Sequence, residues 1–201
     1  MIFGTLVLIF LGILAVLVVY KWGTRFPERS HYDVVPFLRK IDMEVVYGTL
    51  HPDVEDEYRQ KLSASDFKAW QWKRIHLAIH HCMDMAHNCC VLLGWTRWER
   101  RVNWAALPVE CRTGITELRV ASIQTRMAAF IIRTRLRLYL LRMALLPFLP
   151  VPSFQTLLRK GSPDLVNFYE TAKILAESFS MIYGEEFHQE MLAALSVSAN
   201  V

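Results

Sequence analysis

Ile2 to Tyr20 reads IFGTLVLIFLGILAVLVVY, with no charged residue and with hydroxyls only at Thr5 and Tyr20. About 19 residues at ~1.5 Å each give roughly 28 Å, close to the ~30 Å hydrocarbon core of a bilayer. The stretch predicts a transmembrane anchor over residues 1–21. It is a poor signal peptide: no Lys or Arg precedes it, its apolar run is too long, and Val18-Val19-Tyr20-Lys21 offers no small-x-small cleavage site. Lys21, Arg25 and Arg29 follow at once, then Arg39 and Lys40, so the positive-inside rule predicts a single-pass protein of the cell membrane with its C-terminal domain cytoplasmic. Tyr20 and Trp22 suit the headgroup layer at the end of the span.

The sequence then divides into a juxtamembrane linker over 22–35, an α-helical bundle over 36–196 and a short tail over 197–201. The bundle is long enough for one ordinary hydrophobic core, and an apolar fraction of 53% excludes low-complexity disorder. The four cysteines, Cys82, Cys89, Cys90 and Cys111, show no even spacing, which fits free thiols in a reducing compartment.

Every segment of the bundle reads as helix, and no period-2 strand or internal repeat is present. Phe37, Ile41 and Val45 recur at fours before Gly48. Pro52 opens a second helix whose Asp53, Glu55, Asp56 and Glu57 match the positive helix N-terminus and are expected to be solvated. Ser63 or Ser65 caps a helix predicted over 66–93, with Gly94 at its end. Trp95, Trp98 and Trp104 then fall in a shorter segment closed by Pro108. A long helix over 113–146 stops at the proline-rich run 147–152. Ser162-Pro163-Asp164 starts a further helix reaching about Tyr183, and Gly184 separates it from a last one over 185–195. The fold class predicted is all-α, a helical bundle behind a transmembrane helix.

The residues with most chemical potential lie on the 66–93 helix. At about 100° per residue, His76, His80, Asp84 and His87 fall on one strip about 80° wide, so they are the candidate ligands for zinc, iron or haem. Ile75, Ile79, Cys82, Ala86, Cys89 and Leu93 occupy the opposite side, the expected core face. Lys73, Arg74, His81 and Asn88 share the histidine side, so a solvated polar face with no cofactor explains the same pattern. Glu185-x-x-His188 has di-iron spacing but lacks a second copy. Nucleophile elbows, zinc-protease motifs, phosphate-binding glycine loops and dinucleotide fingerprints are absent. Cys111 lies beside Arg112, an electropositive setting, but has no partner base in the sequence.

Charge distribution says more. Between Leu118 and Pro163 there is no Asp or Glu, yet eight Arg or Lys occur. Arg119, Arg126, Arg133 and Arg137 fall within about 40° of one another, while Arg135 and Arg142 lie on another side. These arginines either pair with the acidic C-terminal helix or meet anionic lipid phosphates. Nucleic acid is disfavoured because the arginines are spread over an apolar helix. Trp95 and Trp98, interleaved with Arg97, Arg100 and Arg101, either form a protein contact surface or simply close the end of the bundle. The sequence thus predicts a membrane-anchored, non-catalytic interaction or scaffold protein without cofactor. Trp22, Trp95, Trp98, Arg126, Arg133, Arg137 and Arg142 are its candidate contacts to a partner protein or anionic lipid. The alternative is a redox or sensor module built on the histidine helix.

Overall fold

Ser63 caps the longest helix: its Oγ accepts the Asp66 N–H and donates to the Asp66 carboxylate at 2.6 Å. That helix, α4 (Ala64–Val102), and the one that follows, α5 (Val109–Leu145), are joined by the short turn 103–108. They are roughly 58 Å and 55 Å long at about 1.5 Å per residue. The structure, a computed structural model, describes residues 27–51, 54–145, 153–154 and 162–195. Cys82 sits by Arg133, and Cys89 by Ser122 and Thr125, while Arg97 sits by Arg119. Rising numbers on α4 meet falling numbers on α5, so the two form an antiparallel hairpin.

The third long helix, α6 (Ser162–Ser180), packs against both. Asn88 meets Tyr169 and Trp95 meets Phe179, so α6 runs parallel to α4. Gly184, at φ +98°, turns the chain between α6 and α7 (Glu185–Leu195), a conformation a side chain would strain. Buried Ser180 and His188 are 2.8 Å apart across that turn and fasten α7 to α6.

Residues 27–51 form a layer outside this bundle. They carry α1 (His31–Val34), a 3-10 turn and α2 (Met43–Leu50), and run antiparallel to α4 along its outer face. The Arg29 N–H donates to the Gly94 carbonyl at 3.4 Å, the Phe37 carbonyl meets His87, the Arg39 backbone meets Asn88, and the Thr49 and His51 carbonyls accept from Arg74. Arg74 thereby places a buried cation at the carbonyl-rich end of α2, whose first turn is capped by Asp42. Helix α3 (Val54–Lys61) contributes Glu55, a buried carboxylate. It accepts from Arg59 at 2.8 Å and from the Phe154 N–H at 2.6 Å, fixing Ser153 and Phe154 against the bundle.

The described elements are all helical, as the hydrophobic periodicity predicts. Several boundaries and exposures differ. Helix α4 runs through Gly94 to Val102, because that glycine is a crossing point instead of a terminus: a Cβ there would lie 2.6 Å from the Pro27 carbonyl oxygen. Residues 27–35, expected as linker, pack into the body, with Val34 in the core and His31 stacked on Tyr183. Glu55 is buried, not solvated.

No helix among the described residues is long and apolar enough to cross a membrane. The expected transmembrane helix and the single-pass placement in the cell membrane are corrected accordingly. Helices α4 and α5 have the length, but charges recur along both, as at Arg133, Arg135, Arg137 and Arg142. The stretch Ile2–Tyr20 lies outside the described residues, as do Trp22 and the tail 197–201.

Candidate functional site

The histidine strip divides: His76 and His80 stay exposed, while Asp84 and His87 meet the outer layer. His76 Nδ1 is 2.9 Å from the Trp72 carbonyl, one turn back on its own helix. His87 Nε2 is 2.9 Å from the Phe37 carbonyl, so that nitrogen carries a proton and donates. His80 and Asp84 do meet, at 2.7 Å, but Arg39 also grips Asp84 at 2.6 Å. Among the described residues no group of three or more His, Cys, Asp or Glu is placed to hold a metal ion. Asp84 and His87 of the strip attach residues 37–39. His81, half-buried beside it, has its pKa lowered by desolvation, against which Asp84 pulls upward.

Asn88 is the centre of that attachment. It is fully buried, accepts the Arg39 N–H at 2.8 Å, and donates to the Arg39 carbonyl at 2.8 Å and to the Tyr169 hydroxyl at 2.9 Å. Only one amide orientation satisfies all three, because a flip would set NH2 against N–H. Wheel geometry counted Asn88 as solvated since it lies away from the Ile75–Leu93 face. No periodicity on α4 itself could have revealed a second covering layer from residues 27–51.

Three of the four thiols are held protonated by burial. Burial pushes Cys82 and Cys89 up to about 12 and Cys90 up to about 11. The Arg112 guanidinium beside Cys111 turns back to the Leu107 and Ala105 carbonyls, at 3.0 and 3.1 Å.

The tryptophan segment divides. Trp95 is fully buried among Phe179, Tyr183 and Phe187, and its Nε1–H donates to buried Glu99 at 2.9 Å. It is a core residue that closes this end of the bundle, on a helix that runs on past Gly94. Trp98 is half-buried, with its ring 6.1 Å from His31.

The arginines are brought together. Arg97, Arg100 and Arg101 from the last turns of α4 face Arg119 and Arg126 from α5 across a groove of about 350 Å³, floored by Leu93 and Ile123. Adjacent to it, Arg126 also lines a groove of about 430 Å³ with Arg39, Arg133 and His87. Among the described residues no Asp or Glu lines either groove. The i, i+7 spacing of Arg119, Arg126 and Arg133 foreshadows this edge of α5. The contribution of α4 was not legible, because the arginines after Gly94 were assigned to a separate segment. Glu170, Glu177 and Glu185 of the C-terminal helices instead meet Tyr47, Lys173 and Gln189.

Beyond this edge α5 has a second apolar face. Ile123, Met127, Phe130, Leu138, Leu141 and Leu145 are between 40% and 67% exposed. On a wheel they span about 80°, opposite the core face that carries Ile115, Leu118, Ile132 and Leu136. Arg119, Arg126, Arg133 and Arg137 border the stripe on one side, and Arg135 and Arg142 on the other. Comparison with known proteins adds no kinship: no family model, curated protein or solved structure matches the chain.

Proposed function

We propose that this chain is a non-catalytic helical docking protein that lays α5 along an anionic lipid surface. The observation that carries the reading is the exposed apolar stripe of α5 with arginines along both edges. Contiguous exposed apolar surface marks an interaction site. Its form here, with Leu, Ile, Met and Phe between two rows of long cationic side chains, matches a helix lying in the headgroup layer. There the apolar residues enter the acyl boundary and the guanidinium groups rise to lipid phosphates. Each Arg near an anionic surface contributes about 1 kcal/mol, so arginines along both edges of the stripe make the attraction selective for negative charge. The charge signature favours lipid over a second copy of the chain, whose identical arginine edges would oppose one another.

The test is co-sedimentation of the full chain with vesicles of phosphatidylcholine alone and of phosphatidylcholine mixed with phosphatidylserine. The readout is the ratio of the two partition coefficients. The ratio should exceed about tenfold at low salt and fall as salt rises, since screening shortens the reach of the arginines. Met127→Glu with Leu138→Glu, and separately Arg133→Gln with Arg137→Gln, should each reduce it. A ratio near one, or one untouched by both double variants, refutes the reading. A concentration-dependent dimer abolished by the Glu variants would assign the stripe to self-association instead.

A further inference from the structure

Five guanidinium groups converge on the 350 Å³ groove between the end of α4 and the start of α5. Arg101 reaches it from beside Glu28, its ion-pair partner at 2.6 Å, and Arg100 leans over the neutral Trp104 ring at 5.3 Å. Gathering cations at one place opposes folding by mutual repulsion, and an anion in the groove would relieve it. Arg119 sits among these charges: partial desolvation lowers its pKa, and Arg100 and Arg97 lower it further.

We propose that this groove is a binding site for a diphosphate-class group, two phosphates joined or carried on adjacent atoms. Planar guanidinium forks match phosphate oxygens two at a time, and charge-assisted pairs of this kind are the stronger hydrogen bonds. One carboxylate or one monophosphate presents too few oxygens and too little charge to engage arginines from both walls. Nucleic acid is the poorer fit. Among the described residues the lining offers the aliphatic floor of Leu93 and Ile123 and no aromatic ring on which a base could stack. The site stands on this geometry whether or not α5 docks on lipid, although it lies at one edge of the α5 stripe, where a phosphorylated headgroup would arrive.

The experiment is isothermal titration of the full chain with inorganic diphosphate, inorganic monophosphate and a short single-stranded RNA, paired with sedimentation on phosphatidylcholine vesicles doped with phosphatidylinositol bisphosphate. Diphosphate should bind at least about tenfold more tightly than monophosphate, as one added charge-assisted pair implies. Arg100→Gln with Arg119→Gln, both on exposed positions, should weaken diphosphate by about tenfold or more. Arg119→Lys, which keeps charge and loses the fork, should fall between. Arg135→Gln with Arg142→Gln, on the far edge of α5, should leave diphosphate binding unchanged. Equal affinity for monophosphate and diphosphate, insensitivity to Arg100→Gln with Arg119→Gln, or tighter binding of RNA than of diphosphate each overturns the site. Diphosphate binding without any preference for bisphosphate-doped vesicles keeps the site and assigns it a free ligand. Vesicle binding that survives Arg100→Gln with Arg119→Gln, together with no measurable diphosphate binding, keeps the docking face and removes the site.

Discussion

Asn88→Ala tests whether the outer layer is fastened where the hydrogen bonds indicate. The substitution removes one acceptor and two donors and leaves the Arg39 N–H, the Arg39 carbonyl and the Tyr169 hydroxyl to find other partners. Tyr169 is fully buried, so its orphaned hydroxyl carries a desolvation penalty of about 1–3 kcal/mol. The Arg39 backbone borders solvent and is partly rehydrated, at about 1 kcal/mol for each group. The sum is about 3–5 kcal/mol, a large share of the stability of an ordinary domain. Urea unfolding followed by far-ultraviolet circular dichroism measures it as a lower midpoint with an unchanged slope. Tyr169→Phe supplies the control: in that background Asn88→Ala should cost about 1–2 kcal/mol less, because the two groups share one bond. A loss below about 0.5 kcal/mol, or strict additivity with Tyr169→Phe, refutes the keystone role.

Gly94→Ala should destabilise the chain despite the better helix propensity of alanine, since its Cβ would meet the Pro27 carbonyl at 2.6 Å, and trypsin should then cut sooner after Arg29. Gly114→Ala, with open space around its Cβ, should instead raise stability by about 0.5–1 kcal/mol in the same urea assay. Cys82, Cys89 and Cys90, held as thiols by burial, should resist iodoacetamide at about pH 8 in the native chain and react only in urea, as peptide mapping would record. His81 has a folded pKa below its ordinary 6.5, so the unfolded chain binds the proton first and stability falls as pH drops through that value. His81→Gln should therefore flatten the loss of stability between about pH 7 and pH 5, measured by urea midpoints across that range.

How much was legible in the sequence differs by element. Ser63, Gly184 and the Ser162 start follow from local chemistry, and the structure places all three at helix boundaries as that chemistry requires. The i, i+7 row of Arg119, Arg126 and Arg133 is likewise a property of one helix, so half of the arginine groove was readable. The other half depends on α4 continuing past Gly94, and a glycine in sequence does not reveal whether it ends a helix or admits a crossing chain. The buried positions of Asp84, Asn88 and Glu55 come from residues 16 to 99 positions away in sequence that lie over them. A single helix wheel holds no record of such cover. The N-terminal apolar stretch had the opposite problem: the most emphatic signal in the chain concerns residues outside the structural description.

A helix with apolar residues on two opposite sides has two ways to roll, and α5 is such a helix. Size decides between them. The side turned inward is lined at its middle by Ala121, Ser122, Thr125 and Ala129, all buried, which lets α5 approach α4 closely at Cys89. Half a turn of rotation would press Met127, Phe130 and Ile131 into a space shaped for alanine and serine, and overpacking of that kind costs about 1–3 kcal/mol at a single position. Intermediate angles would drag Arg126 and Arg133 across the apolar interior, where an uncompensated guanidinium is far more costly. The arginine rows therefore act as detents on the rotational phase of α5. They hold the small-residue face inward and leave the bulky face outside as apolar surface for which the fold itself has no use.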